Sequence, residues 1–335
     1  MATINSITET LNKIIKFKVN HSIFIWGPPG IGKSSVVKQV ANNNDMELID
    51  LRVSQLAPTD LRGVPFIKDD EISRFAPPSF LPREGSGILF LDELNMATPA
   101  MMGVAQQLIL DRKVGDYEVP ENWFIVAAGN RSKDRAAVSQ MPSPVGNRFI
   151  HFDVEPDLDS WKKHAIKEEV DERIISFLNF RPELLFKLDK NNPAWPSPRS
   201  WGFASDLLNI GLDSVSSAVG DGVSAEFNGF TTVFNSLPDI EGIFKGNKGI
   251  KVPHEPSLLY ASCGALVSRA KSANDLFMGF KWLINGDVTE DYAFCYMSDV
   301  LVALQAKNIL NEFVKIARTD KQYQKFLPKI QEMMS

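Results

Sequence analysis

The sequence predicts an α/β protein: a doubly wound parallel sheet, then a helical lid, then a C-terminal helical region. Three observations point there. Short apolar runs recur at Ser22–Trp26, Glu47–Val53, Ile88–Leu91, Trp123–Ala128 and Phe149–Val154, without the clean alternation of a half-exposed strand. Helical stretches separate most of them, Ser34–Asn42 and Pro99–Leu110 being the clearest, and strand alternating with helix implies parallel pairing. From Pro156 onward such runs stop and helical periodicity takes over.

The elements follow in order. Ile4, Ile7, Leu11, Ile14 and Ile15 recur at three- and four-residue steps, which predicts an amphipathic opening helix. Two inserts break the alternation. Residues 66–75 read as a hairpin turning at Asp69–Asp70, and residues 110–119 as another turning near Gly115–Asp116. Breaks at Asn191–Pro198 and Lys245–Pro253 mark linkers. The expected domains are a core over 1–154 carrying both hairpins, a helical lid over 155–249, and a helical region over 250–335, where Ile309, Phe313, Ile316 and Ala317 share one face.

Composition narrows the class. The chain has 335 residues, 44% apolar and 23% charged, the range of a globular protein able to bury a large core. A net charge of −5, from 36 basic and 41 acidic residues, does not resemble a domain built to neutralise phosphates, so nucleic acid is not the expected partner. Two cysteines, Cys263 and Cys295, offer neither a disulfide framework nor a zinc site. No apolar run approaches the ~20 residues that cross a bilayer, no signal-peptide pattern opens the chain, and Ala2 stands where myristoylation needs glycine. The expectation is a cytoplasmic protein away from membranes.

Gly27-Pro28-Pro29-Gly30-Ile31-Gly32-Lys33-Ser34 fits the G-x-x-x-x-G-K-[ST] pattern, followed by Ser35. Glycines let the backbone approach phosphates closely, and the loop presents N–H groups at the start of a helix. Lys33 is expected to reach the β- and γ-phosphates, and Ser34 to ligate magnesium. Ile88-Leu89-Phe90-Leu91-Asp92-Glu93 is an apolar run ending in two carboxylates, and the end of a parallel strand faces the ligand crevice. Asp92 would hold magnesium, and Glu93 would orient or polarise the attacking water. Asn130 follows the next run, where a polar side chain can sense the γ-phosphate. Arg131, Arg135, Arg148 and Arg199 are the arginines that could carry transition-state charge.

With these motifs in this order, the chain resembles the AAA+ superfamily of P-loop NTPases. More narrowly it is similar to the MoxR group, which includes RavA-like ATPases and Rubisco activators. The matching stretches are Gln55–Gly63, the hairpin 66–75, Asp92-Glu93-Leu94-Asn95, the hairpin 110–119 and Ser197-Pro198-Arg199, spanning roughly Ile7–Leu208. The resemblance implies Asn130 as first sensor, Arg148 as a finger acting on a neighbour's nucleotide, and Arg199 as second sensor. It also implies ATP and Mg2+ as ligands, a homo-oligomer in the form of a hexameric ring, a protein client to be remodelled or activated, and a partner carrying a von Willebrand factor A domain. Two positions depart from the family pattern: Arg131 replaces the proline after the sensor Asn, and Asn147 replaces the Asp before the finger. The first departure makes Arg131 a rival finger. Two other readings are a restriction-type nucleic-acid translocase and a nucleotide-gated scaffold with little turnover.

Overall fold

A computed structural model describes residues 2–67, 72–131, 134, 141–286 and 289–334, with side chains from 329 onward excluded. The chain forms two compact units, residues 1–157 and 158–335.

The first unit is built on five parallel strands: β1 (Ile23–Trp26), β2 (Glu47–Arg52), β5 (Gly87–Asp92), β8 (Trp123–Gly129) and β9 (Ile150–Asp153), in the order β2-β5-β8-β1-β9. Central strands β5 and β8 are buried almost throughout, as expected for strands covered on both faces. The outer strands β2 and β9 are largely exposed, because a sheet edge has one neighbour fewer. Helix α1 (Ile4–Lys16) is capped by Thr3 and packs on α2 (Lys33–Asn43). Helix α2 lies against β2, β5 and β8. The short α3 (Pro58–Arg62) packs on α4 (Pro99–Asp111), and α5 (Ser143–Gly146) precedes β9.

Parallel register sets where the site forms. Trp26 pairs with both Gly129 and Asp153, and Arg52 pairs with Asp92, so these strand ends share one edge of the sheet. Both inserted hairpins are present. Strands β3 (Val64–Ile67) and β4 (Ser73–Ala76) form one, whose expected turn at 69–70 lies outside the described residues. Strands β6 (Lys113–Val114) and β7 (Tyr117–Glu118) form the other. Leu110, expected at the start of that hairpin, belongs to α4. The hairpins are tied together: the Phe75 N–H donates to the Asp116 carboxylate at 2.6 Å.

The second unit contains no strand among the described residues. Its helices are α6 (Leu158–Lys167), α7 (Glu172–Phe180), α8 (Pro198–Asn209), α9 (Ser216–Val219), α10 (Asp221–Thr231), α11 (Ile240–Phe244), α12 (Pro256–Arg269), α13 (Ala273–Ile284), α14 (Glu290–Ala306), α15 (Leu310–Ala317) and α16 (Lys321–Met334). One core cluster gathers Trp161, Phe177, Trp201 and Phe227, and another gathers Leu266, Phe280, Tyr296 and Phe313. Helix α12 packs on both α7 and α14, and so joins the two clusters. Beneath them lies a buried ion pair: the Lys162 ammonium is 2.7 Å from one Asp299 oxygen, and Asn179 donates to the other at 2.7 Å. No described helix is long and apolar enough to cross a membrane.

Candidate nucleotide site

The loop Gly27–Ser34 runs from the end of β1 into the first turn of α2. Gly32 caps that helix with φ 102° and ψ 19°, a left-handed conformation that glycine adopts without strain. It has no side chain to stand over the N-terminus of the 11-residue helix, the end that attracts an anion. The Lys33 side chain folds back over the loop. Its ammonium donates to the Gly27 and Pro28 carbonyls at 2.8 and 2.9 Å and to Asn130 Oδ1 at 3.0 Å. The lysine is thereby aimed across the loop mouth and joined to the end of β8.

The carboxylates meet the loop from β5. Ser34 Oγ donates to Asp92 Oδ2 at 2.9 Å. The other Asp92 oxygen accepts from the Glu93 N–H at 2.9 Å. Glu93 has φ 55°, a left-handed conformation uncommon for a residue with a side chain. That turn separates the roles of two adjacent acids: Asp92 faces Ser34, while Glu93 Oε2 accepts from Ser54 Oγ at 2.6 Å. A hydroxyl and a carboxylate are the hard oxygen donors that suit magnesium, which takes few protein ligands and fills its shell with water and substrate phosphates.

Four further residues stand at or near this end of the sheet, Asn95 within the Asp92–Asn95 stretch and the other three outside any motif. Ser54 orients Glu93. Asn95 Nδ2 donates to the Asn130 carbonyl at 2.7 Å. Asp50 lies on β2 two residues before the Arg52–Asp92 pairing; burial, then the nearby Asp92 and Glu93 charges, raise its carboxyl above the ordinary range. Gln106 of α4 stands against Arg148, its amide oxygen accepting from the guanidinium in the orientation that pairs donors with acceptors. The turn bearing Arg148 is also pinned from β9: His151 Nδ1 accepts from Trp26 Nε1 at 2.9 Å, while its Nε2 lies 2.7 Å from the Gly146 carbonyl. Strand register places Asp50 and Ser54 here, the turn after β5 places Asn95, and helix α4 places Gln106.

The structure therefore brings together Lys33, Ser34, Asp92, Glu93 and Asn130 through direct or shared hydrogen bonds, and places Arg148 on the turn before β9. Arg131 is engaged within its own chain by Asp134 and Glu155. Arg199 belongs to the second unit, exposed in the first turn of α8, where Ser197 caps the helix and Pro198 opens it. Arg135 lies outside the described residues.

Comparison with known proteins reaches the α/β unit through one family model. Residues 23–152 match the family model "ATPase family associated with various cellular activities (AAA)". No curated protein matches the chain. Among solved structures, NtrX from Brucella abortus is 14% identical over 66% of this chain, with a TM-score of 0.36; the chain spans about half (52%) of that structure's length. NtrX in complex with ADP is 15% identical, covering 91% of this chain and 68% of that one at a TM-score of 0.41. A RuvB mutant from Thermotoga maritima is 18% identical, covering 62% and 66% at 0.39. Likenesses at this level are silent on activity. The segment that matches the AAA model spans the loop, the carboxylate pair, Asn130 and Arg148.

Proposed function

We propose that this protein hydrolyses magnesium-ATP in a ring of like subunits, and that the cycle remodels or activates a protein client, as in MoxR-type AAA+ ATPases. The observation that carries the reading is the meeting of loop and strand ends: Ser34 Oγ 2.9 Å from Asp92 Oδ2, with the Lys33 ammonium bonded to Asn130.

In this reading the loop amides and Lys33 receive the β- and γ-phosphates. Ser34 and Asp92 would hold Mg2+, which when bound neutralises charge on the phosphate oxygens. Glu93 accepts a proton from, or orients, the attacking water while Ser54 keeps its carboxylate aimed. Asn130 exchanges its bond with Lys33 for one with the γ-phosphate or the water. Arg148 reaches a neighbouring subunit's nucleotide after leaving Gln106, and Arg199 acts as second sensor. A hexamer, a von Willebrand factor A domain partner, a cytoplasmic setting and the division of the helical part near residue 250 belong to the same proposal.

The hairpin charges weigh against a nucleic-acid motor. Lys113 pairs with Glu118 at 3.2 Å, and Arg112 donates to the Pro120 and Trp123 carbonyls. Arg112 is thus engaged within the chain, and the exposed Lys113 carries an acid of opposite sign beside it, a mixed set rather than a basic stripe for a phosphate backbone.

Arg148→Ala tests the ring. The variant should bind ATP like the wild type but lose about 1,000-fold in turnover, the worth of an arginine finger. Mixed with Lys33→Ala it should regain activity, because Lys33→Ala subunits present Arg148 to Arg148→Ala nucleotide sites. Wild-type activity per subunit in unmixed Arg148→Ala, or activity independent of protein concentration through the assembly range, would contradict the shared site.

A further inference from the structure

Arg131 follows Asn130 directly, and its side chain is only 10% exposed. Its Nε donates to Asp134 at 2.9 Å, and its two terminal nitrogens meet the two Glu155 oxygens at 2.5 and 3.0 Å. One of those nitrogens also lies 3.5 Å from Asp153. Burial works against the guanidinium charge, but the hydrogen bonds to Glu155 and Asp134 more than offset it, leaving Arg131 more firmly protonated than a free arginine. The fork geometry is the bidentate one that gives an Arg–carboxylate pair directional strength.

The opposite side of the same backbone is held equally closely. Asn95 donates to the Asn130 carbonyl, and a Cβ on Gly129 would lie 2.3 Å from Asn95 Oδ1, so only glycine fits there. Asn130 Oδ1 accepts from Lys33. Residues 129–131 are therefore fixed from the acidic turn after β5, from the phosphate loop, and, through Arg131, from the end of β9.

We infer that Arg131 is a positioning residue for Asn130, clamping the sensor backbone to Asp153 and Glu155 so that the Asn130 amide stays aimed at the phosphate loop. The inference rests on the proposed role of Asn130 as γ-phosphate sensor. It also accounts for an arginine at this position: a finger acting on a neighbour would first have to abandon a bidentate pair inside its own chain. Three carboxylates around one guanidinium make the clamp depend on that charge, because without it Asp134, Asp153 and Glu155 repel one another.

The test compares Arg131→Met, Arg131→Lys, Glu155→Gln and Asn130→Ala in the full chain, reading ADP affinity with a fluorescent ADP analogue and steady-state hydrolysis of magnesium-ATP. The clamp predicts ADP affinity within about twofold of wild type for Arg131→Met and Glu155→Gln. It predicts kcat lower by about 10- to 100-fold, the usual cost of misplacing a group through its support. Arg131→Lys, with the charge but not the fork, should fall between. Should Arg131→Met fail to fold, Glu155→Gln carries the comparison. Wild-type kcat in Arg131→Met or in Glu155→Gln overturns the inference. So does recovered activity on mixing Arg131→Met with Lys33→Ala, the signature of a finger acting in trans. If Asn130→Ala loses turnover while the Arg131 variants do not, the clamp alone fails. If Asn130→Ala keeps wild-type kcat, the sensor reading fails and the clamp with it.

Discussion

Two buried lysines, one in each unit, are held by different partners and serve different ends. Lys33 lies at the mouth of the phosphate loop and donates to two backbone carbonyls and a side-chain amide. Lys162 lies between helices and faces the Asp299 carboxylate at 2.7 Å, with Asp159 at 3.1 Å. Backbone carbonyls and an amide oxygen hold the Lys33 ammonium in place over the loop, where an incoming anion can meet it. A carboxylate at contact distance satisfies the charge where it stands. For Lys162, burial works against the charge and Asp299 more than restores it, which holds the ammonium well above its ordinary range. Cys295 beside it is pushed up to about 12, first by burial and then by the Asp299 charge. The first arrangement suits ligand binding, and the second suits holding helices in one packing.

The contrast breaks if either lysine can be exchanged for a neutral side chain at no cost of its own kind. The largest effect is expected for Lys162→Ala, which leaves Asp299 buried and uncompensated. Removing one partner of such a pair costs about 3–5 kcal/mol, read as a lower urea midpoint for the helical unit, with ADP affinity of the folded protein unchanged. Lys33→Ala should do the reverse. Losing a charged donor worth about 1.5–3 kcal/mol per hydrogen bond should weaken nucleotide binding by about 100-fold or more, with the urea midpoint unmoved. A Lys33→Ala protein that binds ATP normally would contradict the loop assignment.

Asp50 gives the smallest effect and sharpens the electrostatic side of the comparison. Its carboxyl is raised in the folded chain by burial and by Asp92 and Glu93, so near its titration range the folded state binds more protons than the unfolded state. Stability then falls as pH rises through that range, the opposite of an ion-paired acid. Asp50→Asn should remove that slope and slightly raise the thermal midpoint at neutral pH without magnesium. The residue keeps contact with water, which limits the effect. A lower midpoint in Asp50→Asn would mean that the carboxylate is paired rather than repelled.

Much of the first unit was legible because its signals are local. The loop is eight consecutive residues, the acidic pair ends an apolar run, and both hairpins are written in adjacent segments. The strand runs at 47–53 and 149–154 gave no sign that β2 and β9 would be edges, because strand order is not encoded within a strand. The same reason hid Ser54, Gln106 and Asp50, and left Asn95 in a matched stretch without a partner assigned to it. Ser54 meets Glu93 across 39 residues of chain, and Arg131 meets Glu155 across 24. Only the register of β2 beside β5, and the return of β9 alongside β1, bring them together. Arg131 read from sequence was a rival finger, since a charged side chain beside a sensor motif does not reveal which carboxylates surround it.

The central claim is that Glu93 acts on the water while Lys33, Ser34 and Asp92 hold the nucleotide and its metal. The most direct measurement is magnesium-ATP affinity and turnover in Glu93→Gln beside wild type. The account predicts affinity within about threefold of wild type and a turnover lower by about 100- to 10,000-fold, the range for losing a general base. Equal turnover in the two proteins, or loss of ATP binding together with turnover, would contradict it.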